Sequence, residues 1–475
     1  MILKDLPVEK IVSYITSKEI SIDEVVDYYL ARIKKFNHSL NAIVSLRDEE
    51  EIRKEASNNK LNKTKEGKEM LLLGLPLAVK DLTDVQGITT SYGLPELRNN
   101  IANQNSIIVD RLSNHGAIII GKTNTPEFGI GSHTKNKLFG VTANVFDSSK
   151  SAGGSSGGAA SAVASSMVPF ADGSDMMGSC RNPAAYANLY GFRPTPGLIP
   201  EKRDFKPETT SPVLSTLGCL AKTPDDMALF LDAVSGKDSA DPYSFDTLSS
   251  FRDYIIKDEE FSNLRLGWVS DLISTYQIEP AIIDMCEKAL YNLEKTKIKV
   301  IHQESKIKSE NLWNSWVTLR AKSNFHDSND ISLKNPEDLG FPVKWEYQRG
   351  KEANSNDIDL ALSQRIECKN KVDELFKNLD FLVMPSAQIF PFNKELDYPK
   401  EINGNSLDTY HRWMEVVILV SLLGLPSISV PIGFNSQGLP MGMQIIGKRG
   451  DDLKVVAFAK RYEEIFTFSN QGYKL

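Results

Sequence analysis

The sequence is poor in cysteine, with four in 475 residues, at positions 180, 219, 286 and 368. None pair as CxxC and all lie far apart, which argues against a zinc site or a disulfide framework and fits a reducing compartment. The six histidines form no HExxH, so no metal is expected. Long apolar runs are missing too. VVILVSLLGLP (416–426) is too short to cross a bilayer. The N-terminal MILKDLPVEKIVSYITSKE has charges every few residues and no apolar core of a signal peptide. Basic charge is not in excess: 55 Lys and Arg stand against 62 Asp and Glu, a net charge of −7 with no basic stripe, which speaks against a nucleic-acid partner. These absences lead to the expectation of a cytoplasmic protein that uses no cofactor and binds neither membrane nor nucleic acid.

The composition present is that of a large globular chain, 41% hydrophobic. Residues 7–37 have helical character, and Ser21 with Glu24 three residues on forms a capping box. NAIVSL (41–46) reads as a short strand and RDEEEIRKEASNNKL as a polar helix running into a charged loop. LPLAVKDLTDV (75–85) reads as a buried strand, SIIVDRLSNHG (106–116) as an amphipathic helix ended by Gly116, and AIIIGKT as a strand. Strand and helix alternate again at 264–302. Helix predominates over about 305–380. FLVMPSA and PSISVP are strands, and DDLKVVAFAKRYEEIF is a closing helix. The alternation predicts an α/β fold with a sheet covered on both faces.

One stretch stands apart. Residues 151–158 read SAGGSSGG. A flexible linker would run on into polar sequence, but GGAASAVASSM follows, small residues suited to a tightly packed helix. A phosphate loop needs GxxxxGK[ST], and a dinucleotide site needs a strand directly before the glycines; neither is present. The third reading rests on companions. AVKD with Lys80 precedes the stretch, and GSDMMGSCRNPA with Ser179 follows it, so that Ser155 and Ser179 lie 24 residues apart.

These three motifs, in this order and at these spacings, resemble the amidase signature family. The resemblance is densest over about 74–224 and returns at 381–388 and 424–447. It implies a single domain over 1–475 with the amidase signature fold, a large mixed twisted β-sheet covered on both faces by helices. It also implies a catalytic set with Ser179 as nucleophile, Ser155 as bridging hydroxyl and Lys80 as base. A serine hydroxyl needs a base, and a lysine can act as one only when neutral, which burial away from carboxylates promotes. Lys80 ends an apolar strand, and Asp81 in that strand would point to the other side. A structural lysine paired with an acid is the alternative for Lys80 taken alone. The family also places a cis peptide at Gly154–Ser155. Its oxyanion hole falls on the backbone N–H groups of Met176, Met177, Gly178 and Ser179, where the family usually reads TGGS after the aspartate. The two methionines depart from that pattern and are expected to shape the acyl pocket or to fill core. Asp175 and Arg181 match a buried ion pair that braces the turn. Ser156 is expected to cap the following helix or to brace Ser179. Cys180 is expected to be packed rather than reactive.

The MMG variant and KEINGNSLDTYHRWMEVV (400–417) resemble a stand-alone bacterial subgroup that includes hydrolases of 6-aminohexanoate cyclic dimer. Tyr410, His411, Arg412 and Trp413 are expected where the C-terminal half meets the pocket, with a plain core aromatic as the alternative for Trp413. His133 is expected to be a satisfied polar residue. The function implied is hydrolysis of a small linear or cyclic carboxamide through an acyl-enzyme on Ser179, with a small-molecule amide as partner and a homodimer left open. The alternative is the glutaminase-type component of a tRNA-dependent amidotransferase.

Overall fold

Strands of one large sheet set the architecture. The computed structural model describes residues 3–58, 64–67, 69–203, 212–329 and 339–468. Among them an eight-stranded sheet runs in the order Phe170–Asp175, Thr216–Ala221, Tyr190–Arg193, Ser427–Phe434, Pro440–Ile446, Phe381–Pro385, Arg265–Trp268, Lys299–His302. The Arg265–Trp268 strand pairs in parallel with both of its neighbours and the other pairings are antiparallel, so the sheet is mixed. Tyr190–Arg193, Phe381–Pro385 and Pro440–Ile446 are buried at every residue. Successive side chains of a strand point to opposite faces, so both faces of the sheet are covered there. Helices Gly157–Ala164, Arg181–Tyr186, Pro224–Val234, Pro280–Glu294 and Asp452–Phe466 pack against it.

The strand that carries Lys80, Pro76–Lys80, pairs in parallel with Ile118–Thr123 in a separate two-stranded sheet rather than joining the large one. It is hooked to the large sheet by Lys80 N–H, which donates to Asp172 Oδ1 at 2.8 Å. Residues 41–46 do not form a strand; Ile43 makes one isolated bridge to Thr123. The N-terminal helical stretch is two helices, Val8–Thr16 and Ile22–Leu40, and the Ser21–Glu24 capping box opens the second. Gly116, at φ +90°, follows the end of helix Ile107–Asn114. The segment from 305 to 380 holds three helices, Ser309–Asn329, Phe341–Glu352 and Ser355–Leu375; its residues 330–338 lie outside the described residues. So does part of the charged loop after helix Glu49–Asn58.

Candidate active site

Lys80 ends its strand fully buried, at 1% exposure. Its Nζ lies 2.7 Å from Ser155 Oγ, 3.0 Å from Ser156 Oγ and 2.9 Å from Ser174 Oγ. Among the described residues it makes no ion pair. Asp172 is occupied by the Lys80 backbone and by Thr83 Oγ1 at 3.0 Å. Asp81 accepts from the backbone N–H and the hydroxyl of Ser91. Burial lowers the Lys80 pKa to about 8, against the smaller upward pull of nearby acidic groups. Lys80 is therefore an amine among hydroxyls and not an amine paired with an acid.

Ser155 follows a cis peptide bond after Gly154. The turn is held from outside: Thr134 Oγ1 donates to Gly153 O at 2.9 Å and accepts from Gly157 N–H at 3.0 Å, and Gly154 N–H donates to Asn182 Oδ1 at 3.2 Å. Thr134 thus does at the helix start what was expected of Ser156. Ser156 occupies the cap position but makes no side-chain cap bond. Its hydroxyl faces Lys80, and its N–H donates to Ser179 O at 3.2 Å, which ties the two serine turns together. The small residues of GGAASAVA have a steric reason at Gly158, where a Cβ would lie 2.3 Å from Asn124 N.

Ser179 sits between strand Phe170–Asp175 and helix Arg181–Tyr186 and is 5% exposed. It lines the same cavity as Ser155 and Ser174, a space of about 340 Å³. Its hydroxyl makes no hydrogen bond among the described residues. The left-handed conformation of this turn falls on Gly178, at φ +74°, where a Cβ would meet Val417 Cγ2 at 2.9 Å. Met177 is not in the left-handed region, so a side chain is tolerated there, and both Met176 and Met177 face the cavity. Gly178 N–H donates to Asp175 Oδ1 at 2.9 Å. That donor is spent inside the turn, so Gly178 leaves the expected oxyanion set. The N–H groups of Met176, Met177 and Ser179 make no hydrogen bond among the described residues.

Asp175 braces this turn. It also accepts from Cys180 N–H at 3.2 Å, and Arg181 contacts it with Nε at 3.0 Å and Nη2 at 2.9 Å. A second guanidinium, Arg193, which no sequence motif singled out, lies 3.5 Å from the same carboxylate and donates to Asp175 O. Burial opposes ionisation of Asp175, but the two guanidiniums more than offset it and hold its carboxyl well below the usual range. Cys180 is fully buried, and burial pushes its thiol up, so it is a packed residue.

The 410–413 group does not line the cavity. Trp413 donates to Tyr410 O at 3.1 Å and packs edge-on against Phe392. Arg412 pairs with Asp408 and Glu415. His411 is buried among Trp313, Trp345 and Tyr410. Tyr410 and Trp413 line an adjoining cavity that shares Ile130, Gly131 and Ser132 with it, and Tyr410 is hydrogen-bonded at 2.8 Å to Arg320 of the site cavity. His133 is satisfied by Ser151 Oγ at 2.8 Å and Lys394 O at 2.9 Å, and burial lowers its pKa to about 4. The far walls come from residues that sequence reasoning missed. Tyr92 and Phe128 both have φ +53°, uncommon for bulky residues, and their rings lie 6.2 Å apart. Arg320 and Asn324 arrive from helix Ser309–Asn329. No local sequence pattern marks any of the four.

Beside the mixed sheet, a buried amine thus lies among serine hydroxyls that share a cavity with a serine on a glycine-bearing turn, and comparison with known proteins makes the chain an enzyme acting on amide C–N bonds. The sequence model of the Amidase family matches residues 24–456, and the chain belongs to that family. It is 30% identical over 475 residues to the acylamidase of Rhodococcus erythropolis, covering 95% of this chain and 93% of the relative. It is also 30% identical over 493 residues to a glutamyl-tRNA(Gln) amidotransferase subunit of Caldanaerobacter subterraneus subsp. tengcongensis, covering 98% of each. Among solved structures it is similar to a bacterial aryl acylamidase of the amidase signature family, with a TM-score of 0.88, 26% identity, and 98% and 97% of the two chains covered. It also shares the fold of 6-aminohexanoate cyclic dimer hydrolase, with a TM-score of 0.85 at 21% identity and 99% and 98% covered.

Proposed function

We propose that this protein hydrolyses a small carboxamide to a carboxylate and an amine or ammonia, through an acyl-enzyme on Ser179. The observation that carries the reading is the environment of Lys80: an amine buried among three serine hydroxyls, with no carboxylate paired to it among the described residues, beside a cavity that also holds Ser179.

Ser179 Oγ attacks the amide carbon and its proton passes to Ser155, while Ser155 passes its own to neutral Lys80. The carbonyl oxygen becomes an oxyanion, received by the unspent N–H groups of Met176, Met177 and Ser179. The relay then runs backwards: Lys80 returns a proton through Ser155 to the departing nitrogen, the C–N bond breaks and an ester remains on Ser179. Water, deprotonated by the same relay, attacks that ester; the relay returns the proton to Ser179 Oγ as the ester C–O bond breaks, and the carboxylate leaves. The hydroxyls of Ser156 and Ser174 hold the amine in place. With Ser155 they offer three hydroxyl partners, each of which can accept from the amine or donate to it.

A second reading, the glutaminase-type component of an amidotransferase, is favoured by the 30% identity to a glutamyl-tRNA(Gln) amidotransferase chain over nearly the whole length. One experiment separates the two. The purified chain alone is assayed for amine or ammonia release from aliphatic, aryl and cyclic amides and from glutamine. Labelling by a fluorophosphonate is mapped in parallel. Turnover of simple amides with label on Ser179 is expected. Glutaminase activity that appears only with partner chains would establish the second reading, and label elsewhere would remove Ser179 from its role.

A further inference from the structure

The cavity next to Ser179 is apolar through most of its body, with Leu82, Tyr92, Phe128 and Ile130 on its walls, and among the described residues one charged side chain lines it: Arg320. This residue is 3% exposed. Its Nη1 donates to Tyr410 Oη at 2.8 Å and pairs with the Glu346 carboxylate, to which Tyr410 Oη donates at 2.6 Å. Those contacts use one of its three nitrogens. Arg320 Nε has no partner among the described residues but is itself enclosed, whereas Nη2, which also makes no hydrogen bond among them, is not enclosed and is the edge left for a substrate. A buried donor left without an acceptor is costly, and a guanidinium has five N–H groups to place.

We propose that Arg320 is a specificity-determining residue that donates to a second carbonyl of the substrate, so that the site prefers diamides of dicarboxylic acids over simple monoamides. The inference rests on reading this cavity as the amidase site. The charge balance selects a neutral acceptor. Glu346 already offsets the Arg320 charge, and no second cation lines the cavity among the described residues. A substrate carboxylate would therefore enter an apolar, electrically neutral space and lose its hydration with no net positive partner. An amide carbonyl has far less hydration to lose and gains a charge-assisted hydrogen bond. Tyr410 and Glu346 act as positioning residues, because they fix which edge of the guanidinium is left for the substrate.

The test compares kcat/KM for hexanamide, adipamide and adipamic acid, with their shorter and longer homologues, on the intact chain. The expected order places the best diamide about tenfold or more above the matching monoamide, with the half-acid below the diamide. Arg320→Met removes the donors but strands Glu346. The double variant Arg320→Met with Glu346→Gln leaves no unpaired charge and should bring the diamide-to-monoamide ratio close to one, with its fold checked by circular dichroism. Equal rates for monoamide and diamide in the unaltered protein, a half-acid faster than the diamide, or a ratio that survives in the folded double variant would each overturn the proposal while leaving the amidase reading intact. Hydrolysis of none of these amides at any pH would overturn this proposal, and the amidase reading with it only if aryl and cyclic amides also go unhydrolysed.

Discussion

A lysine amine that shares its contacts with three hydroxyls, and with no acid, has an environment that disfavours its charge. Burial brings Lys80 to about 8, against 10.5 for an ordinary lysine. In the proposed mechanism the neutral amine is the active form, so activity should rise with pH through the folded-state value. About a tenth of the enzyme is competent at pH 7, and most of it above pH 9, as follows from a group titrating near 8. A profile of kcat/KM against pH should therefore climb with a midpoint near 8. A rate flat from pH 6 to pH 10 would show that Lys80 is not the base. Lys80→Ala and Ser155→Ala should each lower kcat on the order of a hundredfold to a millionfold while the protein stays folded, since the proposed relay makes them one unit with Ser179. Near-normal turnover in either would remove that residue from the relay. Lys80, Ser155 and Ser179 were legible in the sequence because their motifs are local and ordered. Ser174 was not, although it stands within GSDMMGS. Only the strand it occupies turns its hydroxyl to the amine, and the spacing of the motif says nothing of that.

At the scale of the element, the Gly/Ser turn and its helix depend on a residue that lies outside them. The helix Gly157–Ala164 starts without a side-chain cap of its own. Thr134 fills the place, accepting from Gly157 N–H at 3.0 Å and donating to Gly153 O at 2.9 Å. Thr134→Val keeps the volume and removes both bonds. It should destabilise the protein by about 1–2 kcal/mol, the usual size of a lost cap. It should also lower kcat, because the same hydroxyl holds the backbone on either side of Ser155. Urea unfolding and steady-state rates would check the two halves. Unchanged stability would show that the cap adds nothing, and unchanged kcat that the turn is held without it. Pattern predicted a packed helix here, and the glycines show why: at Gly158 any Cβ would run into the Asn124 backbone. The cap was not legible, because Thr134 precedes the helix by more than twenty residues and belongs to no helix-start signature. The strand expected at 41–46 failed for a related reason. Its apolar run Ala42–Val44 is real, but only Ile43 finds a bridge, and Ala42 and Ile43 are used in packing while Leu46 is exposed.

Across the whole molecule, the turn that carries Ser179 is fixed from both halves of the chain. Asp175 holds Arg181, and Arg181 Nη1 donates to Gln444 Oε1 at 2.7 Å. Gln444 sits in the middle of strand Pro440–Ile446, fully buried. Its amide also donates to Pro385 O at 2.9 Å and to Val416 O at 3.0 Å. One side chain thus joins the turn around Ser179, the strand Phe381–Pro385 and the segment Arg412–Val417, which are far apart in sequence. That is why Gln444 and Arg193 could not be found by motif: their roles exist only once the sheet has brought both halves together. Gln444→Leu keeps roughly the same volume and removes three buried hydrogen bonds, although Arg181 Nη1 keeps its bond to Val417 O. Each such loss costs about 1–3 kcal/mol, and the losses do not add fully. A drop in unfolding free energy on the order of 3 kcal/mol is expected, measured by urea with an unchanged slope. Gln444→Glu separates the two tasks of the residue. The carboxylate can still accept from Arg181, but it cannot donate to Pro385 or Val416, and it adds a negative charge to the Arg181–Asp175 group. It should therefore be no more stable than the leucine variant, despite keeping the bond to Arg181. A glutamate variant as stable as the unaltered protein would show that the link to Arg181 alone holds the two halves together, and that the amide donors contribute nothing.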